Sequence, residues 1–166
     1  MLFRRKPQEA PEPQGAEQPA DEHEAVLRDE LGLCHLWFLE LRLSQELARA
    51  SRIGNVFSLA TWQLRLLPTE TPDPELLARA AAFIQGSLRP YDVVARVDTD
   101  RFVGLLGDAK YEDACTVAYR IKGDLEVRVP SAGRWQAGVA TFGRDGVDGD
   151  ALILASIRRL DDRMAA

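Results

Sequence analysis

The sequence predicts an α+β sandwich, with helices laid over a mainly antiparallel sheet of five strands. Three observations carry this. Stretches of helical apolar periodicity alternate with short β-branched runs, in the order α, α, β, α, β-hairpin, α, β, β, α. Two of the β-rich runs, Tyr91–Val97 and Phe102–Leu106, are separated only by Asp98-Thr99-Asp100-Arg101, the spacing of a hairpin. The chain has 166 residues, 46% apolar and 28% charged, the balance of one ordinary globular domain with an appendage.

The appendage is residues 1–22. It holds four of the nine prolines (Pro7, Pro11, Pro13, Pro19) among Gln, Glu, Ala and Gly. With only Leu2 and Phe3 as large apolar residues after Met1, it cannot offset the entropy of ordering, and a disordered tail is expected. Arg4, Arg5 and Lys6 lack the apolar stretch of a secretory signal and the second signal that stable membrane anchoring needs. The domain then occupies residues 23–166.

Its elements follow in order. Glu22–Leu31, with Val26, Leu27 and Leu31, predicts a first helix broken by Gly32. Leu36, Leu39, Leu43, Leu47 and Ala50 predict a second over Leu36–Ile53, stopped by Gly54-Asn55. Val56–Leu67 is apolar and β-branched, hence a strand; Thr69–Pro74 is a loop. Pro74 suits the first turn of a helix reaching about Leu88, its inward face Leu76, Leu77, Ala80, Ala81 and Ile84. After the hairpin, Tyr111–Lys122 reads as a helix, Leu125–Val129 and Trp135–Phe142 as strands, and Val147–Met164 as containing a last helix. The expected core includes Leu47, Leu59, Ile84, Val94, Phe102, Leu105, Ile121, Val139 and Leu154.

Several function classes fall away. The net charge of −5, from 26 acids and 21 bases, argues against a nucleic-acid partner. No apolar run approaches the ~20 residues of a membrane span. Cys34 and Cys115 make no disulfide framework, so a reducing, cytoplasmic setting is expected. No Gly-rich phosphate loop follows a strand. His23 and His35 support neither a zinc site nor a Ser–His–Asp set, and no cofactor is expected.

Arg89-Pro90-Tyr91-Asp92, then five residues, then Asp98-Thr99-Asp100-Arg101-Phe102 and further apolar residues, resembles the signature segment of GGDEF (diguanylate cyclase) domains. Those read R-x-x-D, five residues, then GGDEF. Glu46–Gly54 is similar to the family's first domain helix and its exit, Phe57–Gln63 to its first strand, and Trp135–Ala140 to its late strand written SIGVA. The resemblance spans roughly Asp29–Arg163. It implies a ferredoxin-like, nucleotidyl-cyclase-like sandwich.

The departures imply the chemistry. The resemblance places the metal of a working cyclase on an aspartate of the first strand and on the third residue of GGDEF. Gln63 and Arg65 stand where the strand's aspartates are expected, and neither an amide nor a cation replaces a hard carboxylate ligand. The guanine-reading segment after that strand is shortened and lacks its Asn and Asp. Asp98 and Thr99 replace the paired glycines where backbone must approach a triphosphate. Only Asp100 survives, so neither a catalytic nor a metal site is expected. By contrast, the family's second site, an R-x-x-D that binds cyclic di-GMP with an arginine of the next helix, finds its residue types in Arg89, Asp92 and Arg120. Arginine forks grip phosphate and stack on purines, and a carboxylate accepts from a guanine edge. Asp92 and Arg120 equally suit a bracing role at the hairpin. The implied function is that of an inactive cyclic di-GMP receptor. The alternative is an interaction or dimerisation module, for which Leu27, Leu31, Leu36, Trp37 and Phe38 offer an apolar surface to a protein partner or second copy.

Overall fold

The computed structural model describes residues 27–160. The tail expected over residues 1–22 and the end of the segment Val147–Met164, expected to contain the last helix, lie outside them. Four helices and four strands follow: α1 Leu36–Ile53, β1 Phe57–Arg65, α2 Pro74–Ser87, β2 Val93–Asp98, β3 Arg101–Gly107, α3 Tyr111–Arg128, β4 Arg134–Thr141 and α4 Gly149–Arg158. The sheet order is β2-β3-β1-β4, every pair antiparallel.

The sheet is covered on both faces, and β1 shows why. Ala60, Trp62 and Leu64 join the side chains of α2 and α3 in one core cluster. Phe57 and Leu59 join Leu39 and Leu43 of α1 and Leu152 of α4 in the other. A strand buried on both faces needs apolar side chains at nearly every position, and the run Phe-Ser-Leu-Ala-Thr-Trp supplies them. Its three polar or partly polar inward groups are all bonded. Trp62 Nε1 donates to Ala118 O at 3.0 Å, Ser58 Oγ to Ala109 O at 2.9 Å, and the Thr61 and Ser156 hydroxyls are 2.7 Å apart.

Local chemistry sets the helix ends. Asp73 caps α2, accepting from Glu75 N, and Pro74 opens it with φ already helical. Gly54 ends α1 at φ +72°, its N–H returning to Ala50 O. Asp148 caps α4 through Ala151 N.

Three expectations are corrected. Leu125–Val129 is no strand: α3 continues through Arg128, which leaves four strands rather than five. The alternation Leu-Glu-Val-Arg-Val mimics a strand, yet Val127 is 79% exposed while Leu125 extends the buried row Ala114, Ala118, Ile121. The helix predicted over Glu22–Leu31 does not reach Leu31: Leu27 is helical, but the chain leaves the helix at Arg28. Asp29 Oδ1 accepts from Leu31 N and Leu33 N, folding Arg28–Cys34 into a loop that bridges to β2 at Ala95. Finally, Leu154 is 50% exposed. Helix α4 turns Leu152 and Ser156 inward, and Leu154 lies about 200° round from Leu152. Of the other expected core residues, Leu47 is partly buried and the remaining seven are buried.

Gly138 of β4 lies directly under the end of α4, where a Cβ would collide with the backbone of Ser156, Arg159 and Leu160. Gly138→Ala is therefore expected to destabilise the domain by at least about 2 kcal/mol, read as a lower urea midpoint with an unchanged slope.

Candidate functional site

The hairpin β2–β3 has two ends, and each carries one of the sites the sequence singled out. At its base, α2 ends in the turn Arg89-Pro90-Tyr91-Asp92. Asp92 holds this turn from both sides: Oδ2 accepts from Arg89 N at 3.0 Å and Oδ1 from Gly107 N, at the end of β3, at 3.2 Å. The turn is closed by Asp92 N donating to Arg89 O. Burial pushes the Asp92 carboxyl above the 3.8 of an ordinary aspartate, against the lowering pull of those two N–H groups and of the Arg89 charge.

Arg89 projects outward. Its Nη1 donates to the Tyr91 hydroxyl at 2.9 Å, and its guanidinium lies 5.9 Å from the Tyr91 ring centroid. From α3, Arg120 Nη2 donates to Ser87 O at 3.3 Å, tying that helix to the end of α2. Arg89, Asp92 and Arg120 thus reach one cleft of about 250 Å³, with Gly107, Asp108 and Asp113 on its wall. The cleft is not broadly cationic, because three carboxylates face two guanidinium groups. An anion held there depends on the local forks of Arg89 and Arg120 rather than on a general field. The Arg89–Asp92 turn is also a ridge: a wider cleft of about 620 Å³ lies beyond it, lined by Arg28, Phe38, Arg42 and Tyr91, and Arg89 and Asp92 border both.

At the other end is the tip, Asp98-Thr99-Asp100-Arg101. Gln63 of β1 pairs directly with Arg101 of β3. Gln63 Nε2 donates to Asp100 Oδ2 at 3.2 Å, and Gln63 Oε1 accepts from Arg101 Nε and Nη2 at 3.3 and 3.2 Å. Arg101 Nη1 also faces Asp98 Oδ2 at 3.7 Å. Phe102, next in the segment, is fully buried. Arg65 sits exposed at the end of β1, in register with Arg134. These residues do not fit the divalent metal that the resemblance implies for a working cyclase. Asp100 is the one carboxylate left of the implied set, while the Asp98 carboxylate is taken by Arg101 and Thr99 N and the Gln63 oxygen by Arg101. Among the described residues no group of three or more His, Cys, Asp or Glu could hold a metal ion.

Sequence reasoning passed over Tyr91, which orients Arg89, and Asp108, the only non-glycine among the described residues with positive φ (50°), on the same cleft wall. Tyr91 is a variable position of R-x-x-D and carried no signal. Asp108 follows Gly107 at a strand end, which is the one hint a sequence gives of a left-handed turn.

No family model and no curated protein matches the chain. Solved structures do. A sensory box/GGDEF family protein from Caulobacter crescentus superposes with a TM-score of 0.70 at 22% identity, over 84% of this chain and 99% of that one. Diguanylate cyclase SiaD of Pseudomonas aeruginosa, solved with its activator SiaC, gives 0.71 at 24%, over 87% of this chain and 60% of that one. The GGDEF domain of DgcB from C. crescentus, in complex with c-di-GMP, gives 0.66 at 15%, over 80% and 86%. The fold is that of a GGDEF domain. In this GGDEF-like chain the hairpin that carries the signature is thus formed and paired as the resemblance requires, with β3 next to β1. Among the described residues, no helix is long and apolar enough to cross a membrane.

Removing the Asp92 carboxylate leaves two N–H groups without their acceptor. Asp92→Ala is expected to lower stability by roughly 1–3 kcal/mol at neutral pH, measured by urea unfolding. In the wild type, a carboxyl ¹³C titration is expected to place the Asp92 midpoint above 3.8. Because the folded value is raised, the part of this group's contribution that comes from protonation is fully present below the unfolded pKa and is lost as pH rises through the folded midpoint. The two N–H bonds that Asp92→Ala removes are made at neutral pH.

Proposed function

We propose that this chain is a catalytically inactive GGDEF-type domain acting as a cyclic di-GMP receptor through Arg89, Asp92 and Arg120. The observation that carries the reading is their convergence. Three side chains, from the R-x-x-D turn and from α3, line one cleft. Arg89 supplies a fork for phosphate and a plane for a guanine face, Asp92 an acceptor for a guanine edge, and Arg120 a second guanidinium from the opposite wall. The c-di-GMP complex of the DgcB GGDEF domain supports this class of ligand for the fold.

Inactivity rests on the tip. Phosphoryl transfer is mostly positioning plus metal electrostatics, and the metal positions are Gln63 and Asp100, with Arg65 beyond them. Asp98 adds negative charge where a triphosphate must approach. Purified protein with GTP and Mg²⁺ or Mn²⁺ is expected to yield no cyclic dinucleotide above a no-protein control. In calorimetry, cyclic di-GMP is expected to bind the wild type at about micromolar Kd, and Arg89→Ala to lose on the order of 2 kcal/mol, the scale of a charge-assisted phosphate contact. No heat for folded wild type at tens of micromolar would remove the receptor reading.

One observation favours a second reading, an interaction module. Leu27, Leu36, Trp37 and Leu41 are exposed, Trp37 by 47%, near the start of α1. Leu31 and Phe38, which the sequence grouped with them, instead pack against the two core clusters. The SiaD complex with its activator is a protein partnership in the same fold class. On this reading the domain associates with a protein partner or a second copy in the cytoplasm, independently of nucleotide. Light scattering is the measurement: a strict monomer unchanged by Trp37→Glu would speak against self-association.

A further inference from the structure

We infer that the hairpin tip is sealed by the chain's own cation: the Arg101 guanidinium takes the charge-neutralising place beside Gln63 and Asp100 that a divalent metal holds in the resembled cyclases. The inference concerns the tip alone and stands whether or not the Arg89 cleft binds a dinucleotide.

The geometry is specific to this residue set. Arg101 stands fourth in the degenerate signature, where GGDEF has its glutamate, so a carboxylate has become a cation. All three of its side-chain nitrogens are engaged: Nε and Nη2 with Gln63 Oε1, Nη1 with Asp98 Oδ2. An ordinary surface arginine keeps its head in water, whereas this side chain is only 21% exposed. Gln63 completes the exchange. An amide has an acceptor for the guanidinium and a donor for Asp100, and it uses both. Two aspartates at those positions would repel each other unless a cation sat between them; the amide removes one charge and donates to Asp100, while Arg101 offsets the neighbouring charge of Asp98.

The rest of the tip is built around the same seal. Leu64 N donates to Asp100 O at 3.0 Å, continuing the β1 edge into the turn. Arg96, on β2, clasps the turn from outside: its Nε donates to Asp98 O and its Nη2 to Thr99 O at 2.8 Å. Thr99 N is taken by Asp98 Oδ1. The two carbonyls and the amide at the signature's first two positions are therefore bonded within the chain. The tip keeps its shape without metal and presents no vacant carboxylate pair to one. Two substitutions act together here, so reverting Gln63 alone leaves the guanidinium in place.

The test compares wild type, Arg101→Ala and the double variant Gln63→Asp/Arg101→Glu, using Mn²⁺ as the probe. Binding is read by loss of the free-ion electron paramagnetic resonance signal, and stability by thermal melts in EDTA and in Mn²⁺. Wild type is expected to take up no Mn²⁺ at about millimolar concentration and to melt at the same temperature in both buffers. Arg101→Ala is expected to melt roughly 3–5 °C lower in EDTA, because the seal is gone. The double variant, carrying four carboxylates at the tip, is expected to bind one Mn²⁺ at least about tenfold more tightly than wild type and to gain melting temperature with it. Mn²⁺ uptake by wild type matching that of the double variant would overturn the inference. So would a folded double variant that takes up none, or an Arg101→Ala protein that melts with wild type. If the double variant fails to fold even in Mn²⁺, the Arg101→Ala melt decides.

Discussion

Everything in this domain is referred to strand β1, which is buried on both faces and hydrogen-bonded along both edges. A strand so enclosed has no freedom of register. A one-residue slip would swap Trp62, packed under α3 with its indole N–H on Ala118 O, for Thr61 or Gln63. Fixing Trp62 fixes Gln63 at the strand's open end, directly across from Arg101. It also fixes Ser58 at the opposite end, bonded to Ala109 beside the base of the hairpin. Both candidate sites are thus placed by the packing of one strand.

The two ends of the hairpin are chemically unlike. At the tip, polar groups are turned on one another, with two arginines consuming carbonyl, amide and carboxylate partners. At the base, Asp92 consumes backbone N–H groups and leaves the guanidinium heads of Arg89 and Arg120 at the rim of a cleft. A ligand entering that cleft meets charged donors already oriented by Tyr91 and by Ser87 O. Orientation before binding lowers the entropy lost on binding, which is how a rigid turn contributes to affinity without contacting the ligand.

Bracing the turn does not exclude the binding role proposed for Asp92. Each carboxylate oxygen has more than one acceptor direction, so a group that accepts one N–H at each oxygen keeps capacity toward the cleft. Its raised pKa reflects the same placement, since it is partly withdrawn from water by the turn it holds together. Removing it therefore disturbs the scaffold and the cleft at once. Arg89 is the cleaner probe, because its side chain touches only Tyr91 among the contacts described.

Local signals in the sequence were strong where one residue or one short pattern decides the outcome. Asp73-Pro74 starts a helix, Gly54 ends one, and the Asp98–Arg101 spacing makes a hairpin, each through backbone geometry that neighbours alone impose. The ordered match around that hairpin was also enough to imply the fold and to nominate Arg89, Asp92 and Arg120. Tertiary structure decided what depends on a distant partner. Leu125–Val129 alternates like a strand, but burial of Leu125 against the sheet keeps it in α3. Leu154 is as apolar as Leu152, yet only the seat of α4 over Gly138 selects which faces inward. Gln63 and Arg101 are separated by α2 and β2 in the chain and read singly as lost ligands. Only the β1–β3 register sets them side by side, where an amide and a guanidinium become one bonded pair.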